Sequence, residues 1–393
     1  MREYRRPKPV TATAIGAAVT VVALLPVFLT SAMAVQMTTD LAFGSAGLGL
    51  AVAAFRSGGA AMSVFLGRLA DELGAIRAIR LAALIAVVAT IGIATTARGL
   101  WSLVFWLAIG GSSLAIAQPG ANRLLLAIVD PRRLGTAFGL KQSAPSIASM
   151  ASGAAVPLVA ITIGWRWGFV MAAVAGVMLA IGLRPPPPRE RSSSKDAKAS
   201  RGPLEDRGII MLLALGFGLG TSTSSATTTF YVASAAASGS TPQFAGTMLA
   251  IASFAAITAR VVAGVVSDRI VRGHLMLCAG LMGTGSIGIA LLSSGTQTLM
   301  SIGAVIALMS CWGFNGVFWF ALIRAYPTAP GRITGAVSPG GLVGSTLGPL
   351  GFGVVAERIG FQTAWLIMAV VAVVAAGVML AGNRRLGSRG VVA

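Results

Sequence analysis

The chain has 393 residues, a formal net charge of +19, 55% hydrophobic residues and only 10% charged ones. That composition excludes a disordered chain and a water-soluble globule, because too little polar surface remains to coat so large an apolar core. Its two cysteines, Cys278 and Cys311, both lie within apolar stretches and read as buried free thiols that say little about redox compartment.

A bilayer's hydrocarbon core is ~30 Å thick and a helix rises ~1.5 Å per residue, so ~20 apolar residues cross it. Twelve stretches meet this requirement, at 11–36, 46–67, 77–97, 100–128, 135–162, 165–183, 208–236, 243–267, 273–294, 297–324, 333–357 and 361–382. The first follows basic residues and contains Ala32-Met33-Ala34, the outline of a secretion signal. Its apolar run is too long for one and further stretches follow, so it reads as a first transmembrane helix. Between the sixth and seventh stretches lie Pro185-Pro186-Pro187-Pro188 and Ser192-Ser193-Ser194 amid charges, which oppose a helix and predict a flexible linker over 184–207. The expected domains are a six-helix bundle over 1–183, this linker, and a second six-helix bundle over 208–393.

Basic residues crowd alternate connectors: Arg68, Arg77 and Arg80; Arg132 and Arg133; Arg269 and Arg272; Arg324 and Arg332; Arg384, Arg385 and Arg389. The intervening connectors hold only Arg98, Arg166 and Arg358. This is the positive-inside bias of a multi-pass membrane protein, and it places both termini and the linker in the cytoplasm. Charge so distributed argues against nucleic acid as a partner and names the lipid bilayer instead. Glycine and alanine richness hints at a GC-rich bacterial genome, hence a bacterial plasma (inner) membrane.

The two halves look like copies. Gly67-Arg68-Leu69-Ala70-Asp71 ends the second stretch and Gly264-Val265-Val266-Ser267-Asp268 ends the eighth, with the aspartates 197 positions apart. Gly164-Trp165 opens the sixth and Gly360-Phe361 the twelfth, with the glycines 196 apart. Duplicated membrane halves commonly build alternating-access transporters with a site near the midplane.

On these residues the chain resembles the major facilitator superfamily. Its signature between helices 2 and 3, G-x-L-a-D-r-x-G-r-k, is matched by Gly67, Leu69, Ala70, Asp71 and Gly74, while Glu72, Ala75 and Ile76 depart from it. A degenerate copy follows helix 8, with Gly264, Asp268, Arg269 and Arg272. The resemblance implies an all-α membrane protein of twelve transmembrane helices in two pseudosymmetric six-helix bundles. It also implies a conformational latch made here of Gly67, Asp71, Gly74, Arg77, Asp268 and Arg269, with the aspartate accepting from a neighbouring helix N-terminus.

A charge at the bilayer centre costs at least ~2.5–3.5 kcal/mol on insertion scales, so each needs a reason. Arg56 lies roughly 16 Å along its helix from Gly67, about half the membrane thickness. Its forked donors suit a carboxylate. Arg260, nearer the cytoplasmic end, reads as structural. Gln118 and Asn122 share a face of helix 4, and Gln142 opens helix 5; these are candidate pathway residues. Helix 7 offers Thr223 and Thr227 within a hydroxyl run, and helix 10 carries Trp312, Asn315 and Trp319 on one face. Helix 11 has Gly344 and Gly348 four apart, a close-packing pattern.

No Asp or Glu falls at mid-membrane depth, so protons, the candidate coupling ion, lack an evident carboxylate carrier. No nucleotide-binding loop appears, the sole histidine His274 falls in a connector, and no metal, cofactor or catalytic triad can be assembled. The expectation is a monomeric secondary transporter taking up a small organic solute, an anion by preference, and not an enzyme. Drug or metabolite efflux is the alternative; a membrane enzyme and a non-transporting receptor on the same scaffold stand behind it.

Overall fold

The computed structural model describes residues 8–130, 133–183, 207–269, 273–326 and 330–387. The described structure is helical throughout: α1 (Pro9–Ala32), α2 (Ala34–Leu41), α3 (Ser45–Leu73), α4 (Ala75–Thr96), α5 (Leu100–Ile128), α6 (Leu134–Gln142), α7 (Ala144–Ala155), a π-helical stretch (Val156–Gly164), α8 (Trp165–Gly182), α9 (Arg207–Ala237), α10 (Pro242–Arg269), α11 (His274–Leu292), α12 (Gln297–Ala325), α13 (Pro330–Arg358) and α14 (Phe361–Gly387). Helix is the form these residues must take in hydrocarbon, where every backbone N–H and C=O has to be satisfied within its own segment. The outer surface is apolar, with Trp101, Leu158, Met178, Ile181 and Met211 each at least 70% exposed. Only lipid tolerates such a coat.

By length and composition, ten helices among the described residues can cross a membrane. That count falls short of the twelve stretches read in the sequence for two physical reasons. One of the ten is the 47-residue run Thr136–Gly182, which straight would be ~70 Å long, over twice the hydrocarbon thickness. It is interrupted at Gly164, whose φ of 102° no helix accommodates. The other reason is α13, of crossing length but diluted by Pro339, Pro349 and several glycines. The first expected helix also divides, at Met33, into α1 and α2. Of the expected linker, residues 184–206 lie outside those described, and Arg207 begins α9. His274, expected in a connector, instead opens α11 fully buried, its Nε2 3.0 Å from the Ser267 carbonyl oxygen.

The offset seen in the sequence recurs in the backbone. Gly164 and Gly360 both take a positive φ, 102° and 119°. So do Ala42 and Gly239, at 52° and 92°, where the chain turns into α3 and α10. The alanine is the one described non-glycine residue in that region.

Packing runs through small residues. A Cβ on Gly58 would meet the Ala108 carbonyl, and one on Gly111 the Phe55 carbonyl, so α3 and α5 touch backbone to backbone. Gly340, Gly344 and Gly348 of α13 do the same against Ala214, Gly218 and Ser222 of α9.

Segments α1–α8 meet α9–α14 chiefly where α3 packs on α13, α7 on α10 and α1 on α9. The tight contacts cluster toward the end of the molecule that carries Gly164 and Gly360. A Cβ at Gly49 would lie 2.5 Å from the Pro349 carbonyl oxygen, and one at Gly153 2.7 Å from that of Gly246. Ser149 and Ser253 share a 2.7 Å hydrogen bond. The Glu357 carboxylate, near the end of α13, accepts at 2.8 Å from the Ala46 N–H in the first turn of α3. Toward the opposite end, which carries Gly74, residues 61–65 of α3 are all exposed, as are Val261, Val262 and Val343. The close contacts between the two segments thus gather toward the Gly164 end, while toward the Gly74 end the Arg260 guanidinium still reaches the Gln142 carbonyl across the seam.

Candidate functional site

At mid-height on this seam, four helices leave a cavity of about 10 Å³, room for about one water molecule. It is lined by Val27, Phe28 and Ser31 of α1, Val52 and Arg56 of α3, Ser225, Thr228 and Thr229 of α9, and Trp312 of α12. Arg56 is its one charged residue. Close α3–α5 packing through Gly58 and Gly59 covers one side of α3 and leaves Arg56 facing the seam.

Among the described residues the Arg56 guanidinium has no carboxylate beside it, and its buried Nε has no hydrogen-bond partner. Its Cζ lies 5.9 Å from the centroid of the Phe55 ring. The hydroxyls around the cavity are already turned. Ser31 donates to the Val27 carbonyl at 2.9 Å, Ser225 to Ser345 at 3.2 Å and Thr228 to Ser224 at 2.8 Å. With their protons so engaged, these oxygens are left as acceptors. Thr228 already accepts from the Trp312 indole N–H at 3.2 Å. The chamber thus offers unpaired cationic donors at one wall, hydroxyl acceptors at another, and an aromatic face between.

Two further basic groups lie along the seam toward the Gly74 end. Arg260 of α10 donates from Nε to the Trp312 carbonyl at 3.1 Å and from Nη1 to the Gln142 carbonyl, and its Cζ sits 5.0 Å from the Trp312 ring centroid. Lys141 of α6 is buried and donates to the amide oxygens of Asn122, at 2.7 Å, and Gln118. The acids near the seam stand at helix ends and are engaged. Asp71 pairs with Arg123 at 2.5 Å, Asp40 accepts from the Trp165 indole at 2.8 Å and lies 3.4 Å from Arg166, and Glu357 caps α3.

Of the residues singled out from sequence, Arg56 and Trp312 meet in the chamber. Gln118 and Asn122 hold Lys141, and Gln142 supplies its carbonyl to Arg260. Thr223 and Thr227 are fully buried and bonded to carbonyls of their own helix; Thr223 faces Cys311 at 3.7 Å. Their neighbours Ser225, Thr228 and Thr229 reach the cavity instead. Asn315 contacts the Cys311 carbonyl at 3.5 Å, and Trp319 packs on Phe217 with centroids 4.7 Å apart. Of the latch residues, Gly67 faces open space, Gly74 turns α3 into α4 with φ 76°, and Arg77 and Arg269 are exposed. The side chain of Asp268 and the whole of Arg272 lie outside the described residues. Ser31, Phe28 and Val52 had no sequence signal beyond membership of an apolar run.

A helical membrane protein with a cationic chamber on the seam between its two packed segments is the class these features define. The model of the Major Facilitator Superfamily matches residues 15–341, and the chain belongs to that family of transporters. Among solved structures, it is similar to a bacterial homolog of the human lysosomal transporter Spinster in an inward-facing, occupied conformation. The TM-score is 0.76 at 16% identity, covering 97% of this chain and 98% of that one. The inward-facing, unoccupied form of the same homolog gives 0.71 at 14%, covering 98% of each. A mutant of the nucleoside transporter NupG gives 0.72 at 18%, covering 94% and 99%. At these identities the likeness is one of fold. No curated protein sequence matches the chain.

Proposed function

We propose that this protein is a monomeric secondary transporter that takes up a small organic anion across a bacterial plasma membrane by alternating access. The observation that carries the reading is Arg56, a guanidinium lining a seam cavity with no counter-charge among the described residues, at a depth the sequence places near the membrane middle. Such a charge is costly, and a solute that neutralises it in transit gives it a reason to be there. The moving bodies are residues 1–183 and 208–393, two six-helix bundles rocking about the chamber. The repeated positive-φ turns at offsets near 196 support that division. Arg68, Arg77, Arg80, Arg133, Arg324 and Arg384 at the Gly74 end favour that end as cytoplasmic. On this assignment the conformation is open inward, the latch at Asp71 belongs to the opposite state, and protons are the coupling ion to try first.

The test is uptake of a panel of radiolabelled carboxylates into proteoliposomes under imposed pH and voltage gradients, with Arg56→Lys and Arg56→Gln beside wild type. Loss of a charge-assisted pair, ~1.5–3 kcal/mol, weakens apparent affinity by roughly 10- to 150-fold in Arg56→Gln. Unchanged affinity in both variants refutes the assignment. Accumulation that runs only outward replaces uptake by export.

A further inference from the structure

The charge inventory of the seam leads further, resting on the anion reading above. We propose that the solute carries two separate acidic groups on a flat spacer, one taken by Arg56 of α3 and the other by Arg260 of α10, with the spacer against the Trp312 indole.

Three observations converge. First, both guanidiniums adjoin one residue: Arg56 lines a cavity with Trp312, and Arg260 lies 5.0 Å from the centroid of that indole. Second, neither has an acid beside it among the described residues. Arg260 is held by two neutral main-chain carbonyls, Trp312 and Gln142, which engage two of a guanidinium's five N–H donors and cancel none of its charge. Carbonyls can be exchanged for carboxylate oxygens at a net gain, because hydrogen bonds between ionised partners are roughly twice as strong. Third, among the described residues the carboxylates stand near helix ends, so the protein supplies no anion at this depth. A monoanion on Arg56 leaves Arg260 uncompensated in a low-dielectric setting; a dianion compensates both cations that adjoin Trp312, while Lys141 keeps its amide oxygens.

The placement also gives the second group a task. Arg56 belongs to the α1–α8 segment and Arg260 to α9–α14, so a solute holding both bridges the two moving bodies. One acid group ties it to each, and only a solute with both is held firmly enough to be carried through the change of state.

The experiment uses thermal unfolding of the purified full chain in detergent. The probes are benzoate as the monoanion and phthalate, isophthalate and terephthalate as dianions of three spacings, at equal concentration and matched ionic strength. At least one dianion raises Tm by the amount corresponding to about tenfold tighter binding than benzoate. Arg260→Gln lowers that dianion to the benzoate level and leaves the benzoate shift in place; Arg260→Lys retains part of the preference. Arg56→Gln removes all the shifts. Equal shifts from benzoate and every dianion, abolished by Arg56→Gln, overturn the two-acid proposal and leave the anion reading standing. A dianion preference that survives Arg260→Gln overturns the role of Arg260. No shift from any probe overturns both readings.

Discussion

Arg56→Met should make this protein more stable while ending its transport. The substitution keeps an unbranched stem, removes a cation with no counter-charge, and removes a buried Nε that has no acceptor. A charge at the bilayer centre costs ~2.5–3.5 kcal/mol on insertion scales, and an unsatisfied buried donor ~1–3 kcal/mol. The side chain is part-exposed to the cavity, so water recovers a good share of both. The gain that remains is about 1–2 kcal/mol. With Tm moving by roughly 2–4 °C per kcal/mol in a large domain, the expected rise is about 2–8 °C. Thermal unfolding of wild type and variant in one detergent measures it, and carboxylate uptake by the same preparations measures the loss of function. A variant that melts below wild type refutes the reasoning, because the guanidinium would then have a stabilising partner. The trade of stability for function is expected wherever a site keeps a group that its solute alone satisfies.

Two other substitutions test the packing and the polar seam. Gly111→Val drives side-chain atoms into the Phe55 carbonyl, where backbone must move, and should cost about 3 kcal/mol or more; Gly67→Ala faces open space and should leave Tm unchanged. Size-exclusion profiles of the two read the contrast, and a monodisperse Gly111→Val protein with wild-type Tm would contradict the α3–α5 contact. Asn122→Leu strips Lys141 of an acceptor and should destabilise by about 1–3 kcal/mol. Adding Lys141→Met should recover most of it. Strictly additive losses in that double-mutant cycle would show that the lysine does not depend on the amide.

Much of the architecture was legible because lipid imposes one rule on every segment. Long apolar runs had to be helices, and the glycine pair read 196 positions apart in the sequence, Gly164 and Gly360, takes matching positive-φ turns in the backbone. Arg56 was legible for the complementary reason, that a charge in an apolar run is conspicuous. What the sequence could not convey was which way each side of a helix points. The hydroxyl run of α9 is polar all round, so nothing separated Thr223 and Thr227, turned into the packed interior, from Ser225 and Thr228, turned to the cavity. Ser31 was invisible because a lone serine bonded to its own helix differs little from its apolar neighbours. Arg260 was read as a structural group, since its place beside Trp312 depends on how α10 meets α12, a tertiary fact.

The bond from the Ala46 amide to Glu357 means that α3 borrows its first acceptor from a helix nearly the whole chain away. No residue of α3's own leader caps it, since Gly44 has no side chain to offer. Any motion that draws α13 away uncovers the start of α3 at the same instant, and solvent must step in as a replacement ligand. On the alternating-access reading, the beginning of that helix would report closure, its acceptor present in this arrangement and exchanged for water once α13 withdraws.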